Sequence, residues 1–140
     1  MPIALTKVAY TTSATARGAR QGHVKSADGV IDLDLAQPGT SDEPRANPET
    51  LFAAGYSACF QGALANRAKT KGVDTSDSTV TAEVSFGPSE DGGFGLAVEL
   101  KVSIPGVDAE QARELVELAH EFCPYSKATR GNIEVTLTVV

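Results

Sequence analysis

The apolar segment Asn47–Ala68 constrains the fold of this chain more than any other stretch of its sequence. Its first residue is of a type that caps helices, and Pro48 suits the first helical position, where a missing N–H costs nothing. Within Leu51–Ala65 almost every residue is apolar or small, so no face of the predicted helix is suited to water. We therefore expect a central helix that is buried in a core or between two subunits, with Cys59 inside it.

Two glycines interrupt this predicted helix, and each lowers helix propensity by roughly 0.5–1 kcal/mol relative to alanine. We interpret Gly55 and Gly62 as positions where another backbone must approach closely. The apolar part of the segment is too short, and too rich in glycine and serine, to cross a bilayer.

The composition is that of a globular protein with one domain, residues 1–140, and an acidic balance. The chain has 41% hydrophobic and 21% charged residues, a net charge of -6 and a pI of about 4.8. Without basic clusters, it is not suited to bind nucleic acid or an anionic membrane surface. The first residues lack the basic and long apolar regions of a signal peptide, so we expect a cytoplasmic location.

The chain has two cysteines, Cys59 and Cys123, which are too far apart for a zinc ribbon or a Cys-x-x-Cys motif. In a reducing cytoplasm such a pair is either catalytic or redox-sensing, or consists of two unrelated small hydrophobes in a core. The two histidines add no cluster with ligand spacing, so the sequence predicts neither a metal site nor a cofactor.

Hydrophobic periodicity predicts six strands and a second long helix. The first three strands form a meander and the next two a long antiparallel hairpin: Lys7–Ala16, His23–Ser26, Val30–Leu35, Thr79–Phe86, Phe94–Ile104 and, last, Ile133–Val140. The second helix should follow Asp108, which with Gln111 resembles a capping box, and end at Cys123, where Pro124 disfavours helical geometry. A short turn over Tyr125–Arg130 is then expected, with Cys123 as its cap. The order βββ–α–ββ–α–β predicts an α+β fold.

Two motifs carry a resemblance to a known family. Asn-Pro-Glu-Thr-Leu-Phe-Ala-Ala-Gly-Tyr-Ser-Ala-Cys-Phe leads to Cys59 and Phe60, and Cys-Pro-Tyr-Ser begins at Cys123. With the segment Lys-Ala-Thr-Arg-Gly-Asn-Ile near its end, the chain resembles the organic hydroperoxide resistance proteins of the OsmC-like superfamily over essentially its whole length. The resemblance implies an intertwined homodimer, with antiparallel sheets built from both chains around the buried central helices.

The activity that this resemblance implies is the thiol-dependent reduction of organic hydroperoxides to alcohols. Cys59 would become a sulfenic acid, and Cys123 would condense with it to form a disulfide. An external dithiol, such as the lipoyl group of a lipoylated protein, would then reset the pair. Two alternatives stay open: a dimer in which the same thiols sense redox state or that binds a hydrophobic ligand, and an OsmC-type peroxidase with a different substrate.

The chemistry needs a thiolate, and burial disfavours one, so Cys59 needs a positive charge that lowers its pKa. The family pattern Gly-Gly-Arg-x-Gly matches residues 18–22, Gly-Ala-Arg-Gln-Gly, which assigns this role to Arg20, with Arg17 as a nearby competitor. Glu49 matches the family's glutamate, which would hold and orient the arginine.

The position of Glu49 raises the question of which chain it serves. Glu49 and Cys59 are ten residues apart on one predicted helix, a rise of about 15 Å along the axis. We therefore expect Glu49 of one chain to serve Cys59 of the other, where two such helices cross. A kink at Gly55 is the alternative.

Other residues near the two motifs are candidates for substrate binding or for a base. Phe52, Phe60 and Tyr125 could line an apolar substrate pocket, and core packing is the alternative for each. His120 precedes Cys123 by one helical turn, and we expect it to cap the end of the helix, with a catalytic base as the alternative.

Overall fold

The computed structural model describes residues 2–140, in which six strands and three α-helices follow one another in nearly the predicted order. The chain divides into two units, Met1–Pro48 and Glu49–Val140. The first holds three strands, and the second holds the other three strands and the helices. The predicted α+β class is confirmed, and the short turn predicted over Tyr125–Arg130 is a short helix before the last strand.

The first unit is built on an antiparallel sheet of three strands in the order β1-β2-β3. Their bounds are Ala14–Arg17 for β1, His23–Ser26 for β2 and Asp32–Asp34 for β3. The predicted meander is thus confirmed, but β1 is much shorter than the predicted strand over Lys7–Ala16. Alternation alone does not make a strand, because the backbone groups also need a neighbouring strand to pair with.

A tight turn between β1 and β2 carries Arg20. A 3-10 helix occupies Ala19–Gln21, and Gly18 and Ala19 have positive φ angles of 82° and 59°. A Cβ atom on Gly22 would lie 1.8 Å from the carbonyl oxygen of Arg17, so only glycine fits there. Ala19 stands where the family pattern has glycine, and its left-handed backbone costs about 1–2 kcal/mol.

The second unit contains a sheet in the order β4-β5-β6. Strands β4 (Thr79–Pro88) and β5 (Phe94–Ser103) form the predicted antiparallel hairpin. The last strand, β6 (Val135–Val139), is parallel to β5, so the prediction of antiparallel sheets is wrong for this pair of strands. The reason is the connection: a chain that returns through helices re-enters the sheet in the same direction.

Three helices complete the second unit. The central helix α1 spans Pro48–Thr70 without a break. Helix α2 spans Ala109–Phe122, and α3 spans Pro124–Thr129. A side-chain oxygen of Asp108 accepts the backbone N–H of Gln111 at 2.8 Å, which confirms the predicted cap of α2.

The core of the second unit lies between α1, α2 and β5. Its buried side chains come from one face of each element: Tyr56, Phe60, Ala63, Leu64, Ala68, Val98, Leu100, Val102, Ile104, Ala112, Leu115, Val116, Ala119 and Cys123. Another face of α1, which we call the small-residue face, consists of Ala54, Ala58, Gly62 and Ala65 and is exposed in this chain. Of the two predicted settings for α1, the core of its own chain does not cover this face, and burial between two subunits stays a prediction. None of the helices within residues 2–140 has the length and apolar character needed to span a membrane.

Candidate active site

The two cysteines lie side by side in the second unit. Their Sγ atoms are 3.6 Å apart, and both are free thiols. Cys59 is half-buried on α1, and Cys123 is fully buried at the junction of α2 and α3. A disulfide needs about 2.05 Å between its sulfur atoms, so a small movement would join them.

Pro124 explains why Cys123 lies at that junction. The residue before a proline is driven out of helical geometry, and Cys123 is extended, with ψ of 125°. It therefore ends α2 and serves as the N-cap residue of α3, as the sequence predicted. We call the turn Cys123–Ser126, which joins the two helices, the corner.

Burial dominates the acidity of the nucleophile candidate. It raises the pKa of Cys59, and the neighbouring Cys123 thiol acts in the same direction. The backbone N–H of Tyr125, which donates to the Cys59 sulfur, opposes them by favouring the thiolate. The expected lowering of this pKa is thus not met within the second unit, because desolvation outweighs the single N–H donor.

An aromatic cluster is formed by Phe52 and Tyr56, which lie in the two turns of α1 before Cys59, and by Tyr125, whose backbone N–H donates to the Cys59 sulfur. The ring of Tyr125 stacks on that of Phe52 at 6.1 Å, and both rings are within 5.8 Å of the Tyr56 ring. Phe52 and Tyr125 are partly exposed, whereas Phe60 is fully buried in the core. The first two can meet a ligand from solvent, and core packing accounts for Phe60.

Gly55 makes room for this cluster. A Cβ atom at Gly55 would lie 2.9 Å from the hydroxyl oxygen of Tyr125 and 3.1 Å from its ring. The predicted close approach at Gly55 is therefore made by a side chain from the corner, not by another backbone. At Gly62 a Cβ atom would have no neighbour within 4 Å in the described chain.

Sequence reasoning missed a buried polar network under the corner. The hydroxyl of Tyr56 is 2.8 Å from Ser126 Oγ and 3.1 Å from Thr129 Oγ1, and His120 Nδ1 is 2.8 Å from Ser126 Oγ. The signal was a tyrosine inside an apolar helix, because a buried phenol hydroxyl needs a partner.

His120 is not the residue that caps α2. The guanidinium of Arg130 donates to the carbonyl oxygen of His120, so an arginine takes that role. Burial, assisted by the charge of Arg130, lowers the pKa of His120. Its ring is hydrogen-bonded to the Ser126 hydroxyl. Neither of the two predicted roles, helix cap or catalytic base, included this contact.

The remaining candidates lie further from the cysteines along the chain. Glu49 is half-buried in the first turn of α1, about 15 Å along the helix axis from Cys59. One chain's helix therefore does not bring Glu49 to its own Cys59. Arg20 is half-buried in the 3-10 helix of the first unit, and Arg17 is exposed in β1. The roles of Arg20 and Glu49 stay predictions.

Comparison with known proteins agrees with the two cysteine motifs. A family model described as OsmC-like protein matches residues 39–138. The organic hydroperoxide resistance protein OhrB of Bacillus subtilis (strain 168) is 51% identical over 131 residues, which cover 91% of this chain and 96% of that protein. The organic hydroperoxide resistance protein of Xanthomonas axonopodis pv. citri (strain 306) is 46% identical over 137 residues, or 95% of this chain and 96% of that one.

The solved structures agree as well. The crystal structure of OhrB of Bacillus subtilis matches this fold with a TM-score of 0.90 at 48% sequence identity, over 95% of this chain and 100% of that one. The chain belongs to the OsmC-like family and, within it, to the organic hydroperoxide resistance proteins.

Proposed function

We propose that this protein is a thiol-dependent peroxidase that reduces organic hydroperoxides to alcohols through Cys59 and Cys123. The observation that carries the proposal is the separation of 3.6 Å between the two Sγ atoms, with both thiols free. The relatives named as organic hydroperoxide resistance proteins support the substrate class.

The first step is attack by the Cys59 thiolate on the outer oxygen of the hydroperoxide. The O–O bond breaks, the S–O bond of a sulfenic acid forms, and the alkoxide takes a proton and leaves as an alcohol. The backbone N–H of Tyr125 supports this step because it stabilises the thiolate of a sulfur that burial would otherwise keep protonated.

The second step joins the two cysteines. Cys123 attacks the Cys59 sulfur, the S–O bond breaks, and the hydroxyl group leaves with a proton as water. An external dithiol then reduces the disulfide and is itself oxidised to a disulfide; a dihydrolipoyl group on a protein fits this role. We place this cycle in the cytoplasm, where thiols are kept reduced.

The aromatic cluster supports a preference for bulky hydroperoxides. Phe52 and Tyr125 present partly exposed rings beside Cys59, and buried hydrocarbon contributes about 25 cal/mol per Å² to binding. Hydrogen peroxide offers no such area. The alkyl group would therefore lie against these two rings while the peroxide reaches the sulfur.

Arg20 and Glu49 are assigned by their match to the family motifs. Arg20 would stabilise the Cys59 thiolate and the leaving oxygen, and Glu49 would orient the guanidinium. A positive charge is needed, because burial raises the pKa of Cys59 within the second unit.

The proposal includes a homodimer. The small-residue face of α1 is exposed although its side chains are apolar, and such faces allow close contact between two helices. Large apolar side chains near the start of the chain are exposed as well: Ile3, Leu5, Val8 and Tyr10. A second copy of the chain would remove these surfaces from water.

A steady-state assay with dihydrolipoamide and either tert-butyl hydroperoxide or hydrogen peroxide tests the function. We expect many turnovers per chain and a far higher kcat/KM for the alkyl hydroperoxide, and none with Cys59→Ser. A reaction that stops after one equivalent would identify a redox sensor, and equal kcat/KM for the two peroxides would contradict the assigned substrate class.

A further inference from the structure

We propose that Ser126 is a positioning residue for disulfide formation, in which Tyr56 and His120 hold it so that Cys123 stays in reach of Cys59. This inference rests on the proposed peroxidase function and concerns its second step. The contacts that carry it belong to the polar network under the corner, whose hydrogen bonds join side-chain oxygen and nitrogen atoms and not the reacting sulfur atoms.

The network connects the helical turns that carry the two thiols. Tyr56 precedes Cys59 by three residues on α1, and His120 precedes Cys123 by three residues on α2. Ser126 follows Cys123 by three residues on α3. Because residues three apart share a helix face, each contact of Ser126 ties the corner to a turn beside a cysteine.

Ser126 Oγ makes two side-chain hydrogen bonds, one fully buried and one half-buried. Ser126 and Tyr56 are fully buried, and their hydroxyl oxygens are 2.8 Å apart. Ser126 Oγ is also 2.8 Å from His120 Nδ1, so one hydroxyl joins α1, α2 and α3. Every buried side-chain polar atom of the described chain has a hydrogen-bond partner. Removal of the Ser126 hydroxyl would take its hydrogen bond from the half-buried His120 ring and would leave the fully buried Tyr56 hydroxyl with Thr129 Oγ1, 3.1 Å away, as its remaining partner. The loss of such bonds is costly.

The corner needs the hydrogen bonds of Ser126 because α3, the helix that begins in it, is short. Helix α3 has six residues, and isolated helices shorter than about 12 residues are marginal. Pro124 also breaks its continuity with α2. The position of Cys123 Sγ therefore depends on contacts that the corner makes with α1 and α2.

The disulfide-forming step is the one that depends on this position. The sulfur atoms must close from 3.6 Å to about 2.05 Å while the S–O bond of the Cys59 sulfenic acid breaks and water leaves. A misplacement of about 1 Å can slow such an intramolecular step by about 100-fold. The first step uses a peroxide that arrives from solvent and does not need Cys123.

The test separates the two steps in a single turnover. The reduced protein is mixed with one equivalent of tert-butyl hydroperoxide, and the sulfenic acid and the disulfide are followed by rapid quench and intact mass. In Ser126→Ala we expect disulfide formation to slow by about tenfold or more, with a much smaller change in sulfenic acid formation. With excess peroxide, more of Cys59 should proceed to sulfinic acid, because the intermediate lives longer.

Four further variants keep the test decisive. Ser78→Ala is the matched control, since Ser78 is a buried serine of the same unit that meets Gln61 and not the corner; it should keep both rates. Tyr56→Phe removes one hydroxyl at nearly constant volume and should also slow disulfide formation. It therefore provides the test if Ser126→Ala does not fold. His120→Asn, which keeps a hydrogen-bonding group near Nδ1, should restore part of the rate that His120→Leu loses.

The outcomes are distinguishable from failure of the function itself. If folded Ser126→Ala and Tyr56→Phe form the disulfide at the rate of the unmodified protein, the positioning role is wrong. The role is also wrong if both steps slow equally, or if only the first step slows, which would assign the effect to the Tyr125 N–H. If the unmodified protein forms neither a sulfenic acid nor a disulfide, the proposed function fails instead.

Discussion

Gly55 is a single residue whose missing side chain lets the corner approach the helix of the nucleophile. The hydroxyl oxygen of Tyr125 would lie 2.9 Å from a Cβ atom at this position. Helix propensity alone favours Gly55→Ala by about 1 kcal/mol. Two opposing effects therefore act at one residue, and a double-mutant cycle can separate them.

We expect Gly55→Ala to give no gain in the free energy of unfolding in the unmodified protein, because the Tyr125 ring must move. In a Tyr125→Ala background the same substitution should stabilise by about 1 kcal/mol, since the obstacle is gone. Urea unfolding at one protein concentration measures all four proteins. Equal stabilisation in both backgrounds would show that the ring does not depend on the glycine.

Ala19 is a second residue at which the backbone conflicts with the side chain. Its φ of 59° lies in the left-handed region, which costs a residue with a Cβ atom about 1–2 kcal/mol. We expect Ala19→Gly to raise the free energy of unfolding by up to about 1 kcal/mol. The matched control is Ala16→Gly in strand β1, which should lower it by roughly 0.5–1 kcal/mol. A loss of stability in Ala19→Gly would contradict the strain.

At the scale of elements, strands β2 and β3 are joined by a histidine between two carboxylates. His23 Nδ1 is 2.8 Å from Asp34, and Nε2 is 2.5 Å from Asp32. These bonds, that to Asp34 first, raise the pKa of His23, and the bond to His23 lowers the pKa of Asp34. All three side chains are exposed, so solvent screens the interaction.

The sign of the pH dependence follows from these directions. Protonated His23 stabilises the strand pair fully below its unfolded pKa of about 6.5, and this contribution is lost as the pH rises through the raised folded value. The Asp34 contribution is present above its unfolded pKa and is lost as the pH falls through the lowered one. We expect an NMR titration to show a lower His23 pKa in Asp34→Asn. The control is Asp77→Asn, an exposed position in the second unit, which should leave the His23 pKa unchanged. An unchanged His23 pKa in Asp34→Asn would contradict the pairing.

Local sequence signals predicted the elements that local interactions determine. The start of α2 follows from Asp108 and its end from Pro124, and both are confirmed. The length of β1 and the parallel direction of β6 depend on which neighbour each strand finds, and alternation does not encode that. The proximity of Cys59 to Cys123 followed only from the family motifs, and the network around Ser126 needs the positions of three helices at once.

At the scale of the whole molecule, the question is whether one chain contains a complete site. Glu49 and Cys59 are separated by about 15 Å along an unbroken α1. A glutamate at that distance cannot hold an arginine that touches the sulfur of the same helix. We therefore expect two chains to share each site, with Glu49 of one serving Cys59 of the other.

A heterodimer of a Glu49→Ala chain and a Cys59→Ser chain tests this arrangement. The control is that each variant is inactive as a homodimer. If the sites are shared, one of the two sites in the heterodimer has both residues, and about half of the activity returns. An inactive heterodimer would show that both residues of each site come from one chain.

In the proposed cycle, Cys59 reacts with the hydroperoxide and Cys123 resolves the product. The most direct measurement is the intact mass of three proteins, the unmodified chain, Cys123→Ser and Cys59→Ser, after one equivalent of tert-butyl hydroperoxide. We expect the unmodified chain to lose two hydrogen atoms, Cys123→Ser to gain one oxygen atom on Cys59, and Cys59→Ser to stay unchanged while its peroxide is not consumed. The proposed cycle would be contradicted if Cys59→Ser gained an oxygen atom. It would also be contradicted if Cys123→Ser, like Cys59→Ser, stayed unchanged in mass.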